Sequence, residues 1–178
     1  MKKLEIGDRA PQINLSDQDG KIHTLNDVMG RWVLIYFYPK DDTPGCTKEA
    51  CQIRDSFSDF KKLKIKVFGI SADSIENHKK FSQKYNLSFP LLSDLDKKII
   101  RLFGVWGKKK FMGREYMGIK RTSFLIDPKG KIAKVYENVK TGTAIKAVNG
   151  MRNKRSVWTV NPAQFAESHF ATFPEELI

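Results

Sequence analysis

Apolar residues run without interruption from Trp32 to Tyr38 inside "GRWVLIYFYP" (30–39), and the run stops at Pro39. Its β-branched and aromatic make-up predicts a strand buried on both faces. "LKIKVFGIS" (63–71) and "SFPLLSD" (88–94) predict further strands, and "RTSFLIDPKGKIAKVYE" (121–137) predicts a hairpin turning at Asp127-Pro128-Lys129-Gly130. Between them the period changes. In 44–62, Ala50, Ile53, Phe57 and Phe60 fall at helical spacing, and Cys46 extends the same stripe by four residues. Asp73 with Glu76 three positions later resembles a capping box opening a helix over 74–86. A third helix is predicted over 96–103 from Ile99, Ile100 and Phe103. Upstream, "PQINLSDQDGKIHTLND" (11–27) predicts a structural hairpin turning at Asp19-Gly20. Strand and helix segments in alternation, closed by a hairpin, make an α/β fold with a central mixed sheet flanked by helices.

Composition narrows the function classes. At 178 residues, with 40% hydrophobic content and no low-complexity linker, the chain suits one compact domain. Lys2-Lys3 lead into Leu4-Glu5-Ile6-Gly7-Asp8 rather than an apolar leader, and no apolar run approaches a membrane span. The expectation is a non-exported, cytoplasmic protein that makes no use of a membrane. The net charge of +12 is uneven: residues 101–160 alone carry +12, against +3 for 1–100 and −3 for 161–178. Such a block serves solubility first. Any nucleic acid it attracted would be held weakly and without sequence preference.

Both cysteines fall in one short stretch, "YFYPKDDTPGCTKEACQIRDSF" (36–57). In a reducing compartment such a pair is catalytic, redox-sensing or metal-binding more often than a permanent disulfide. With Thr43 capping the helix and Pro44 in its favoured first-turn position, Cys46 lies in the first turn. There the unpaired amides and the positive end of the helix dipole stabilise a thiolate, the nucleophilic form. The competing interpretation is a small buried hydrophobe on the apolar stripe. Zinc is disfavoured, since one cysteine pair and three scattered histidines, His23, His78 and His169, supply no tetrahedral set. Those histidines read singly as surface or capping residues, and Trp32, Trp106 and Trp158 as packing residues.

The spacing of Pro39, Thr43 and Cys46 resembles the active-site signature of peroxiredoxins. The longer "DDTPGCTKEACQIRD", with Cys51 five residues after Cys46, is similar to the Q-type branch, also called bacterioferritin comigratory proteins. "FGVWGKKKFMGREYMGIKRTSFLIDPKGKI" (103–132) is similar to the same branch, including the arginine before "TSFLID". The resemblance implies a thioredoxin-like fold and a thiol peroxidase acting on hydroperoxides. It makes Cys46 the peroxidatic cysteine, Cys51 the resolving cysteine, Thr43 the hydroxyl that bonds thiolate and peroxide, and Arg121 the guanidinium that holds both. Pro39 would shield the pocket and Glu49 orient the arginine. No bound cofactor or metal is implied. The implied reductant is thioredoxin or a similar dithiol protein, and Q-type relatives are often monomers.

Two rival functions stand beside this one. A protein thiol–disulfide oxidoreductase usually carries C-x-x-C rather than the C-x4-C found here. A non-enzymatic polyanion binder would rest on the basic block alone. The resemblance fades after about residue 139, which divides the chain into a domain over 1–139 and an atypical segment over 140–178. That segment lacks the regular apolar positions of the family's closing helix.

Overall fold

The computed structural model describes residues 3–137 apart from Met112. The atypical segment 140–178, with Trp158 and His169, lies outside the described residues. The predicted N-terminal hairpin is formed by β1 (Asn14–Ser16) and β2 (Ile22–Thr24), paired antiparallel. Its turn depends on Gly20 at a φ of 79°, where a side chain would be strained. There follow β3 (Val33–Phe37), α1 (Pro44–Asp55), α2 (Phe57–Lys62), β4 (Lys66–Ser71), α3 (Ile75–Tyr85), β5 (Leu91–Ser93) and α4 (Lys98–Leu102). The remaining described strands are β6 (Trp106–Phe111), β7 (Arg114–Ile119), β8 (Thr122–Ile126) and β9 (Ile132–Glu137).

Five strands form a mixed sheet in the order β5-β4-β3-β8-β9, parallel on one side of β3 and antiparallel on the other. β3 is its central strand, and all five of its residues are buried, as the unbroken apolar run requires. Alternation divides its side chains between two cores. Val33, Ile35 and Phe37 join Phe103, Ile100 and Phe124 on one face, whereas Leu34 and Tyr36 join Ala50, Ile53, Phe60 and Phe81 on the other. The result is a thioredoxin-like arrangement of helices on both faces of a mixed sheet.

Several elements depart from the expectation. The helix predicted over 44–62 is two, because Ser56 at φ −93° and ψ 4° interrupts it and its carbonyl accepts from both Asp59 and Phe60 amides. The cap of α3 is Ser74, not Asp73: Ser74 Oγ accepts from the Asn77 amide at 3.3 Å. Asp73 is drawn elsewhere, its carboxylate accepting from Ser71 Oγ at 2.7 Å and from the Asp41 amide at 2.9 Å. The hairpin of β6 and β7 is absent from the sequence-based expectation. Its lysines give no apolar alternation, and the two strands pair only with each other in a sheet of their own.

Candidate active site

The central strand ends at Phe37, and the chain leaves it through Tyr38, Pro39 and a tight loop to enter α1 at Pro44. A strand-to-helix junction at the end of a parallel sheet segment is where α/β folds present functional groups. Thr43 holds the N-cap position in extended geometry, and Pro44 fills the first helical position, where its missing N–H costs nothing. Cys46 is therefore the third helical residue, within the turn whose amides lack intrahelical acceptors. Its side chain is 1% exposed and packs with Tyr36, Ala50 and Ile53. Burial among apolar groups is thus real, yet it does not exhaust the environment of the sulfur.

Arg121 stands immediately before β8, and the pairing of Phe37 with Thr122 sets it beside the exit of the central strand. Its Nη2 donates to Cys46 Sγ at 3.4 Å. Its Nη1 donates to the Gly45 carbonyl at 3.3 Å and to Glu49 Oε2. Glu49 is one turn beyond Gly45 on α1 and is 1% exposed, so its carboxylate is buried against the guanidinium rather than solvated. Burial pushes the Glu49 carboxyl up to about 7, against the opposing pull of Arg121. Burial alone would lower Arg121, but the Glu49 and Cys46 charges beside it hold it above the usual arginine range. A guanidinium serves these three acceptors from one rigid planar fork, a geometry that a compact ammonium does not reproduce.

The other predicted residues are placed less directly. Thr43 Oγ1 donates to the Lys40 carbonyl at 3.1 Å and makes no side-chain capping bond, so the expected cap is positional only. Pro39 is half-buried at the start of the loop. Cys51 is on the same helix as Cys46, half-buried, and both thiols are free. Among the described residues no group of histidine, cysteine and acidic side chains is arranged to hold a metal ion.

A family model for the AhpC/TSA family matches residues 6–135. The chain is 50% identical over 141 residues to Peroxiredoxin Bcp of Escherichia coli, covering 79% of this chain and 90% of that one. It is 47% identical over 137 residues to Peroxiredoxin Bcp of Bacillus subtilis, covering 77% and 87%. The chain belongs to the AhpC/TSA family, in its Bcp and peroxiredoxin Q branch. Solved structures agree: Xanthomonas campestris peroxiredoxin Q superposes with a TM-score of 0.71 at 38% identity, covering 78% of this chain and 87% of that one. A Xylella fastidiosa PrxQ mutant gives 0.74 at 32% identity, covering 79% and 90%.

As a peroxiredoxin the protein is a thiol peroxidase, and its thioredoxin-like sheet is the family's scaffold. Sequence reasoning missed a second polar group in this scaffold. His78, expected as a surface or capping residue, is fully buried and its Nδ1 lies 2.7 Å from Asp41 Oδ2. His23 is buried too, with its Nε2 2.6 Å from Asp17 Oδ2 in the N-terminal hairpin. The Asp41 partner of His78 is not legible from spacing alone, since the two are 37 positions apart. The one available signal was the pair of aspartates preceding Thr43.

Proposed function

We propose that this peroxiredoxin reduces hydrogen peroxide and organic hydroperoxides through Cys46, with Cys51 as the resolving thiol and an external dithiol as final reductant. The observation that supports it most is the Arg121 guanidinium on the Cys46 sulfur at the first turn of α1. The guanidinium holds the sulfur in place, and the same donors, with the free helical amides, stabilise charge on the departing oxygen. The thiolate attacks the distal peroxide oxygen. The O–O bond breaks, the alkoxide or hydroxide leaves and takes a proton, and Cys46 becomes a sulfenic acid. Cys51 then attacks that sulfur, water departs, and a disulfide forms within the chain. Two thiols of an external dithiol, thioredoxin or a protein like it, return both cysteines to the reduced state by exchange. No step calls for a cofactor.

Thr43 and Glu49 have distinct parts in this scheme. Glu49 fixes Arg121 through Nη1, leaving Nη2 for the sulfur. Thr43 holds its hydroxyl at the helix entrance, where a short rotation away from the Lys40 carbonyl would turn it toward a bound peroxide. Pro39 shields the pocket. The test is peroxide consumption by the purified protein with a dithiol present. The wild type is expected to consume peroxide catalytically and Cys46→Ser to lose it, because a hydroxyl is too weak a nucleophile at ambient pH. Near-normal turnover in Cys46→Ser would overturn the mechanism.

A further inference from the structure

Asp41 is five positions before Cys46, and its amide and both carboxylate oxygens have partners. Its amide donates to Asp73 Oδ2 at 2.9 Å. Its Oδ1 accepts from the Tyr38 hydroxyl at 2.7 Å, and its Oδ2 is 2.7 Å from His78 Nδ1. Because a carboxylate can only accept, the Nδ1 of His78 carries the proton of that bond. Asp73 is itself fixed, since its carbonyl accepts from Ser93 Oγ at 2.6 Å and its carboxylate from Ser71 Oγ at 2.7 Å. The next residue repeats the pattern on the same helix. Asp42 takes a left-handed φ of 54° and accepts from Lys84 Nζ and the Tyr85 hydroxyl, both at 2.6 Å.

His78 is 0% exposed, and its Nε2 is buried with no hydrogen-bond partner among the described residues. A buried polar atom left unpaired is costly, and an apolar residue would fill the same space without that penalty. The only polar bonding this imidazole shows is through Nδ1, toward Asp41 and, at a longer 3.5 Å, the Tyr38 hydroxyl. The function of the ring is therefore to be sought in the loop it holds.

We propose that His78 is a positioning residue for the peroxide step: through Asp41 it stakes the loop 38–43 to α3 and so sets where Thr43 and the first turn of α1 stand around Cys46. The proposal rests on the peroxidase reading for its rate consequence and on geometry alone for its anchoring consequence. A loop so short transmits a displacement of Asp41 to Thr43 and Cys46, and misplacement of a reacting group by about 1 Å can cost about a hundredfold in rate.

Three variants and two readouts test it. His78→Asn keeps an N–H donor near the Nδ1 position, His78→Leu removes it while filling the space, and Tyr38→Phe deletes only the hydroxyl that binds Asp41 Oδ1. The rate of Cys46 oxidation by hydrogen peroxide in a single turnover, and hydrogen exchange at the amides of 41–47, are measured on folded protein. His78→Leu is expected to slow oxidation about tenfold or more and to speed exchange, with His78→Asn recovering most of both. Tyr38→Phe moves both readouts in the same direction by less, and it decides the matter if His78→Leu does not fold. Wild-type oxidation and exchange in a folded His78→Leu, or in Tyr38→Phe when His78→Leu does not fold, overturn the proposal. So does equal slowing by Asn and Leu with unchanged exchange. A wild type inert to peroxide instead overturns the peroxidase reading, and exchange across 41–47 then decides the anchor by itself.

Discussion

Arg121 meets Glu49 with one arm of its guanidinium and Cys46 with the other, so its geometry matters as much as its charge. Arg121→Lys keeps the charge but replaces the planar fork with a single ammonium. It is expected to lower the rate constant for peroxide about a hundredfold, the usual loss when one transition-state donor is removed. Unchanged stopped-flow kinetics in that variant would take Arg121 out of the chemistry. Glu49 adds a pH dependence. Its folded value of about 7 lies above the ordinary 4.5, so the native state binds the proton more tightly than the unfolded chain. The stability this contributes is complete below pH 4.5 and lost as pH rises through about 7. Urea midpoints of the wild type are therefore expected to decline across that window relative to those of Glu49→Gln, and parallel curves would contradict it. At this scale Cys46 and Arg121 were legible, because each stands in a sequence motif with a chemical reason. The burial of Glu49 was not, since a glutamate in the first turns of a helix ordinarily faces solvent. Asp41 and His78 were hidden for a different reason: their bond is made by packing α3 against the loop, which no local pattern encodes.

Helix α1 carries both cysteines, and a helix rises about 1.5 Å per residue, which separates their Cα atoms by about 7.5 Å along the axis. Disulfides usually join Cα atoms about 4.4–6.8 Å apart, so the intact helix cannot be bridged. A Cys46–Cys51 disulfide would therefore require the helix to unwind. The structure pins the segment at both ends: Asp41 and Asp42 bind α3 before the helix begins, and Arg54 Nη1 donates to the Tyr85 carbonyl at 2.8 Å near its end. Unwinding is therefore expected to lie between these pins. Hydrogen exchange across 43–52 is predicted to accelerate in the disulfide form, while α3 keeps its protection. Equal protection in both forms, with the disulfide verified by mass, would contradict the coupling. Cys51→Ser leaves the sulfenic acid unresolved, and overoxidised Cys46 is expected to accumulate under repeated peroxide when no competing thiol is present. Most elements were readable from periodicity, and β3 the most clearly, because an unbroken apolar run has few other homes. The interruption at Ser56 was not, since the apolar stripe continues through it to Phe60. The hairpin of β6 and β7 was missed because a strand rich in lysine lacks the alternation that a half-buried sheet imposes.

Across the whole molecule, the sheet does one task for function: it holds two distant sequence segments at one edge of the active site. The exit of β3 supplies the loop and Cys46, and the start of β8 supplies Arg121, brought together by the antiparallel pairing of Phe37 with Thr122. This is how two short motifs, 75 positions apart at Cys46 and Arg121, converge on one candidate site. The general layering followed from the order of strands and helices, whereas the division into two cores needed the observed alternation along β3. No helix among the described residues is long and apolar enough to cross a membrane. The proposed cycle, as far as the disulfide, uses one chain only. Its central claim is tested by adding one equivalent of hydrogen peroxide to the fully reduced protein, quenching with an alkylating reagent and mapping both cysteines by mass. The account predicts that the peroxide disappears, neither cysteine is alkylated, and a Cys46–Cys51 disulfide is found within single chains. Consumption of the peroxide with Cys46 still fully alkylated would contradict it.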